Sequence, residues 1–169
     1  MKGLENQTYL IAWIISNIAA LLILLAACRS ARLARILFFL LFAWACWINW
    51  KTAMYSPEDY QEYASLSFLD YYKSFIGGWF HNNTLLVVGC IATCQGFIAI
   101  SMLLKGNATK FGIAGAIIFL IAIAPLGVGS GFPTTITMAI ALFIILTKGV
   151  NEHPWRKPLP HAAFIETVD

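Results

Sequence analysis

Residues 111–147 read FGIAGAIIFLIAIAPLGVGSGFPTTITMAIALFIILT, an apolar stretch of 37 residues without a charged side chain. A helix needs about 20 apolar residues to cross the hydrocarbon core of a bilayer, so this stretch has nearly the length of two crossings. Pro125 and Pro133 enclose a glycine-rich run at its centre. Proline lacks the amide donor that a helix interior requires, and glycine readily adopts turn conformations. The stretch therefore predicts two transmembrane helices joined by a tight hairpin.

Three earlier stretches, at 6–28, 36–50 and 74–104, also lack charged residues. They give predicted spans at about residues 9–27, 33–50 and 85–104, the second of which has arginines at its inner end. The whole chain is 60% hydrophobic and 11% charged. Soluble proteins carry about 25% charged residues, so this composition excludes an ordinary water-soluble domain. We predict an all-α membrane protein of about five transmembrane helices.

Charges outside the spans predict the orientation. Basic residues follow the first and third predicted spans: Arg29, Arg32, Arg35, Lys105 and Lys110. The segment after the second span, residues 51–83, has a net charge of −2, and the hairpin after the fourth has none. Cytoplasmic loops are enriched in Lys and Arg. The pattern predicts an integral membrane protein with its N-terminus outside and its C-terminus in the cytoplasm.

The segment 51–83 is rich in aromatic residues and begins like a helix at Ser56-Pro57-Glu58, with a second start at Ser67. Serine caps a helix, proline suits its first turn, and acids favour its N-terminus. We predict two short interfacial helices on the outer face, at about 57–65 and 68–76. The aromatic residues either form a belt at the headgroup level, or cover a lipid-like or quinone-like ligand.

If a ligand binds under this segment, its contacts would come from the aromatic residues and the nearby hairpin. The candidate ligand-binding residues are Trp47, Trp50, Tyr60, Tyr63, Tyr71, Trp79, His81 and Ser130. No cofactor is evident from a motif. Quinone and bound lipid are the candidates that an apolar, aromatic site would suit.

Four residues in the spans could carry chemistry or simply pack. Cys90 and Cys94 lie one helical turn apart and are either redox thiols or small apolar packing residues. The polar side chains of Gln95 and Asn49 either mark function or hydrogen-bond between helices. No histidine lies within a span near other donors, so no metal site is predicted.

The chain resembles the DoxX-like family of small bacterial membrane proteins over about residues 32–148. The resemblance rests on Arg35-Ile36-Leu37 with Phe42, Ser56-Pro57-Glu58 with Tyr63, Gly89 with Gly96, and the hairpin run 124–133. It implies a location in the bacterial inner membrane and a four-helix bundle at 32–148 that includes the outer segment 51–83. Residues 1–31 would then be an added transmembrane anchor helix, and residues 149–169 a cytoplasmic tail.

Three functions remain open. The first is a non-catalytic or accessory subunit of a membrane complex, rather than a stand-alone enzyme. The resemblance also implies a quinone-linked redox component, similar to thiosulfate:quinone oxidoreductases, with its ligand under the outer aromatic segment. The third is a lipid or small-molecule transporter. The expected partners are the lipid bilayer and either other membrane subunits or further copies of the chain, and no nucleic acid.

Overall fold

A computed structural model of the chain describes residues 3–155, and this part of the chain is helical throughout, without a β-strand. In chain order the helices are α1 (Gln7–Arg29), α2 (Ala31–Tyr55), α3 (Glu62–Leu66), α4 (Asp70–Phe75), α5 (Thr84–Leu103), α6 (Asn107–Ile123) and α7 (Thr134–Lys148). Pro57–Gln61 and Ala124–Ser130 are 3-10 segments, and Ile76–Phe80 is a π-helical turn.

Four of these helices are long and apolar enough to cross a membrane: α1, α2, α5 and α6 with its continuation to Ser130. The helix α7 is apolar but has only 15 residues. The prediction of an all-α chain with membrane-crossing helices is confirmed at this level. The boundaries of α1, α2 and α5 lie within five residues of the predicted spans.

The five long helices form a closed ring, in which α1 packs on α2, α2 on α5, α5 on α6, α6 on α7, and α7 on α1. The core between them contains fully buried large side chains such as Phe38, Met102 and Leu142. Alanines are buried beside them, including Ala27 and Ala34. Small residues let helices approach closely, so α1 and α2 can pack tightly on either side of the turn that joins them.

The two ends of the ring differ in chemistry. We call the end formed by residues 56–83 and 124–133 the aromatic end. The opposite end, formed by residues 29–35, 104–110 and 148–155, is the basic end. Each long helix runs from one of these ends to the other, so connections alternate between them.

The segment 51–83 and the hairpin, which the sequence analysis placed near each other, are in direct contact. The amide of Phe68 donates to the carbonyl of Pro125 at 2.9 Å. The rings of Phe68 and Phe132 are 5.6 Å apart, edge to face. The helix α1 joins the same contact, since the Trp13 indole donates to the carbonyl of Phe132 at 2.6 Å. Three distant parts of the sequence therefore close the aromatic end.

The short helices differ in detail from the prediction. Ser56 precedes the Pro57 turn as expected, but its side chain caps no amide. The second short helix begins at Asp70 rather than at 68. The reason is the Ser67 hydroxyl, which donates to the Pro125 carbonyl at 3.1 Å and accepts from the Leu69 amide at 3.3 Å. Ser67 therefore holds an extended link to the hairpin before the helix starts.

The predicted division into an anchor at 1–31, a bundle at 32–148 and a tail at 149–169 stays a prediction. In the structure α1 packs on both α7 and α2. Residues 149–155 belong to the basic end and contact its residues 104–110, since the Gly106 amide donates to the Val150 carbonyl at 2.8 Å. The rest of the tail, residues 156–169, lies outside the described residues.

Candidate functional site

An open groove of 810 Å³ lies between α2 and α5 next to the aromatic end. It has an indole and a thioether on the α2 side, small and aliphatic side chains on the α5 side, and two amides from the residues just before α5. The lining residues are Trp50, Met54, Asn82, Asn83, Leu85, Leu86, Gly89, Cys90, Thr93 and Cys94. The groove contains no charged side chain.

Gly89 determines how closely α2 approaches α5 at the groove. A Cβ atom at this position would lie only 3.0 Å from the Trp50 ring. The absence of a side chain therefore lets the indole lie against the α5 backbone. One turn further along, the Thr93 hydroxyl donates to the Gly89 carbonyl at 2.8 Å. The Thr93 hydroxyl therefore has its hydrogen-bonding capacity largely met within α5, and the α5 wall of the groove is effectively apolar.

Cys90 and Cys94 are both exposed to the groove, and both are free thiols. Residues four apart in a helix have their Cβ atoms about 5–6 Å apart. A disulfide requires about 3.5–4.5 Å between Cβ atoms. The helix α5 is continuous from Thr84 to Leu103. The geometry therefore does not suit a disulfide between these two cysteines without a distortion of α5.

The two intramembrane amides form a hydrogen-bonded chain beside the groove. The Tyr60 hydroxyl donates to Asn49 Oδ1 at 2.9 Å, and Asn49 Nδ2 donates to Gln95 Oε1 at 2.8 Å. Gln95 is 4% exposed. These hydrogen bonds connect the segment 51–83 to α2 and α5, so both amides have an interhelical role. Neither amide lines the groove, although each is adjacent in sequence to a residue that does.

Tyr60 and Tyr63 pack together at the top of this chain, with ring centroids 5.8 Å apart. Burial, followed by the nearby Tyr63 and Asp59, raises the pKa of Tyr60 to about 12. Burial also raises the pKa of Tyr63, with smaller contributions from Asp59 and Glu62. The Tyr60 phenol therefore remains protonated at neutral pH and can donate to Asn49.

The other predicted ligand-binding residues do not lie together in the groove between α2 and α5. Trp47, Tyr71 and Trp79 are 59%, 77% and 57% exposed, and His81 is exposed as well. The Ser130 hydroxyl donates to the Gly127 carbonyl at 3.0 Å within the hairpin. Of the eight candidates, all within the described residues, Trp50 alone lines the groove. The thiols Cys90 and Cys94 line it too.

Sequence reasoning did not assign the other lining residues of the groove to a site: Met54, Asn82, Asn83, Leu85, Leu86, Gly89 and Thr93. A signal was present in the spacing along α5. The pairs at 85–86, 89–90 and 93–94 repeat every four residues and so share one helical face. That pattern identifies a face, but only the packing of α2 on α5 makes it a groove.

Within residues 3–155, no three His, Cys, Asp or Glu side chains are placed to hold a metal ion. No model of a protein family, curated protein or solved structure matches the chain.

Proposed function

We propose that the chain is a non-catalytic accessory subunit of a membrane complex, and that the groove between α2 and α5 receives a transmembrane helix of a partner subunit. The observation that supports this is the groove itself, an uncharged depression of 810 Å³ on the side of the ring. A lateral apolar depression in a spanning helix pair is filled in a bilayer either by lipid or by another helix. The absence of charged side chains and of histidines from residues 36–50, 85–104 and 111–147 favours the same assignment.

The α5 wall of the groove has the composition of a helix–helix interface. Gly89, Cys90, Thr93 and Cys94 are small and lie along one face. Helices in membranes associate through close packing at small residues, since lipid tails are as apolar as the side chains. Trp50 and Met54 form a ridge on the other side that would pack along the incoming helix. The partner helix is expected to be apolar at its contact face, with no charge to be paired.

The proposal includes five transmembrane helices in the bacterial inner membrane, with the aromatic end outside and the basic end in the cytoplasm. The 15 residues of α7 span about 22 Å, less than the hydrocarbon core of about 30 Å. The hairpin that precedes α7 can supply the missing length because Gly127 and Val128 are buried in protein. Irregular backbone is tolerated at membrane depth when protein surrounds it. Enrichment of cations at the basic end supports the orientation.

The test is the size of the particle extracted from native membranes in a mild detergent. A chain with a fluorescent C-terminal tag should elute in an assembly larger than one copy. Fluorescence of the tag in intact cells would also support a cytoplasmic C-terminus. Thr93→Phe fills the groove and should release the chain from the assembly. Ile118→Phe is the matched control, because Ile118 is 69% exposed on α6, a helix that does not line the groove.

The masses in the particle identify the partner. A second polypeptide, or a second copy of the chain, supports the proposal. A single copy in wild type, or an intact assembly with Thr93→Phe, contradicts it. Both variants should retain the thermal unfolding midpoint of the wild type, so that a loss of assembly can be distinguished from misfolding.

One observation favours a second candidate, a quinone-linked component that binds quinone in the same groove. The Trp50 ring offers a flat apolar surface, and the Asn82 amide lines the groove just before α5 begins, where it could donate a hydrogen bond to a quinone carbonyl. A single-copy particle that retains quinone through extraction, and loses it in Trp50→Leu, would favour this function. The double change Cys90→Ser and Cys94→Ser then decides whether the thiols take part in electron transfer.

A further inference from the structure

At the basic end, we infer a binding site for a phosphate group, in a pocket of 520 Å³ between the α1–α2 turn and the end of α7. This site lies at the opposite end of the ring from the groove. The side chains that matter are Arg32, Arg35, Lys148, Ser30, Asn151 and Glu152. The volume falls within the range of about 300–1,000 Å³ typical of small-molecule sites.

The pocket has an excess of positive charge. Three cations and one carboxylate line it, which leaves a net charge of +2. Glu152 is bound by Arg32, at 2.6 Å between the Nη2 and Oε2 atoms. Within residues 3–155, neither Arg35 nor Lys148 has a carboxylate at salt-bridge distance. The pocket therefore attracts an anion.

Backbone carbonyls hold the two remaining cations in place. Arg35 is 2% exposed and donates to the carbonyls of Met102 at 3.0 Å, Glu152 at 2.7 Å and Leu104. Lys148 donates to the carbonyl of Ala27 at 2.9 Å and also to that of Cys28. These acceptors fix the position of each charge without neutralising it. A fixed cation loses little conformational entropy when a ligand binds.

Both cations keep spare donor capacity. An arginine side chain has five N–H groups, and Arg35 has acceptors for four of them among the described residues, including Thr109 Oγ1 at 3.5 Å. The ammonium group of Lys148 has three N–H groups and two acceptors in the same part of the chain. Each cation can therefore donate to one further oxygen.

The first turn of α2 lines the same pocket. Ser30 precedes this helix, and its hydroxyl accepts from the Leu33 amide at 3.3 Å. The Ala31 and Arg32 amides precede that bonded position, as the first two of a helix that lack an intrahelical acceptor. Both residues line the pocket. Two fixed cations beside such a helix start suit the several oxygens of a phosphate group better than a single carboxylate.

Two sources could supply the phosphate. The basic end would lie at the headgroup level if the long helices cross a bilayer, so an anionic phospholipid can present its phosphate there. Free phosphate from the cytoplasm has the same chemistry. The experiment uses the purified full-length chain and three separate probes: phosphatidylglycerol, phosphatidylcholine and inorganic phosphate. Native mass spectrometry counts the bound lipid, and the thermal unfolding midpoint reports on inorganic phosphate against chloride at equal ionic strength.

Two substitutions should act in opposite directions. Lys148→Gln removes a charge but keeps an amide that can donate to the α1 carbonyls, and it should weaken binding about tenfold, as expected for one charge-assisted hydrogen bond. Glu152→Gln frees Arg32 and should strengthen binding. A folding defect cannot produce such strengthening. Lys110→Gln is the control, since Lys110 is an exposed lysine of the same end that does not line the pocket.

Phosphatidylglycerol retained in preference to phosphatidylcholine, with the two opposite shifts, identifies a lipid headgroup as the source. Stabilisation by inorganic phosphate without retained lipid supports the site with the free anion as its ligand. Equal weakening by Lys148→Gln and Lys110→Gln would show general surface attraction and would overturn the inference. Weaker binding in Glu152→Gln, or no response to any probe, would overturn it as well.

Discussion

Asn49 on α2 donates a hydrogen bond of 2.8 Å to the side-chain carbonyl of Gln95 on α5. The same Asn49 side chain accepts from the Tyr60 hydroxyl at 2.9 Å. A single amide therefore joins the two most extensively packed helices to the segment that covers the aromatic end. This arrangement makes the stability of the helix pair depend on a residue outside it.

Tyr60→Phe should lower the free energy of unfolding by about 0.5–1.5 kcal/mol, since the change removes one hydrogen bond and leaves the ring in place. Combined with Gln95→Leu, its effect should fall short of the sum of the two single effects, because both bonds share Asn49. Unfolding in detergent by a denaturing surfactant measures all three variants. Tyr55→Phe is the control, since Tyr55 is 78% exposed. An equal loss of unfolding free energy in Tyr55→Phe and Tyr60→Phe would show that the hydrogen bonds from Tyr60 through Asn49 to Gln95 do not stabilise the protein.

The same tyrosine predicts a loss of stability at high pH. Burial raises the pKa of Tyr60 from 10.0 to about 12 in the folded protein. Between these values the unfolded chain has released a proton that the folded chain retains, so the stabilisation is complete below pH 10 and falls as pH rises towards 12. The raised pKa of Tyr63 acts in the same direction.

Unfolding midpoints recorded across this pH range should fall more steeply in the wild type than in Tyr60→Phe. The phenylalanine variant lacks the group that titrates, but it keeps Tyr63 and every exposed tyrosine. Identical slopes in the two proteins would contradict the role given to Tyr60. A phenolate absorbance titration provides a second reading, in which the variant should lose one group that titrates late.

The long helices were predictable from the sequence because the signal for each is local. Arg29 ends the first uncharged stretch, and Ser30 follows with an extended backbone, so α1 ends where the sequence indicates. The aromatic end was less predictable. Helices as short as α3 and α4, with five and six residues, have little stability of their own, and contacts such as the one between Phe68 and Pro125 determine where they begin.

The candidate sites were likewise predictable from the sequence only in part. Trp50, Cys90 and Cys94 could be named from the sequence, because aromatic rings and thiols are visible there. Their partners Met54 and Leu86 could not, since only the packing of α2 on α5 makes them neighbours. At the basic end, the sequence presents Arg35 as one of several loop charges. Its burial depends on residues more than 65 positions away in the chain.

The contact between α5 and α6 depends on Gly112. A Cβ atom at this position would lie 1.6 Å from Ser101 Oγ and 2.4 Å from Ser101 Cβ. Ser101 is 8% exposed, and its hydroxyl donates to the Ile98 carbonyl at 2.6 Å, so it has little room to move. Gly112→Ala should therefore destabilise the protein by about 1–3 kcal/mol, as overpacking in a core does.

Gly115 provides the matched control on the same helix. A Cβ atom there would meet no atom within 4 Å. Gly115→Ala should leave stability unchanged or raise it by up to about 1 kcal/mol, because alanine is more stable than glycine in the interior of a helix. The difference between the two variants in the unfolding free energy measures the close approach of α5 and α6. A similar effect at both positions would place the two helices further apart than the structure does.

The final prediction compares two arginines of the same helix turn. Arg35 reaches the Met102, Leu104 and Glu152 carbonyls through three different nitrogens. A lysine has one nitrogen and cannot cover these positions together, so Arg35→Lys should cost about 1–3 kcal/mol through an unpaired buried carbonyl. Arg32→Lys should cost less than about 1 kcal/mol, because its ion pair with Glu152 lies at a partly exposed surface.

Hydrogen exchange at the basic end separates this local effect from a general loss of stability. The Gly106 amide is bound to the Val150 carbonyl at 2.8 Å, and Arg35 secures residues 150–153 through the Glu152 carbonyl at 2.7 Å. A lysine that bonds to the Met102 or Leu104 carbonyl leaves the Glu152 carbonyl unbound and lets the segment open, so Arg35→Lys should speed exchange at Gly106 more than in the middle of α5. Arg32→Lys should leave Gly106 protected, since the contact with the Glu152 backbone is intact. Uniformly faster exchange along the whole chain in Arg35→Lys would show instead that Arg35 stabilises the ring globally, with no special hold on residues 150–153.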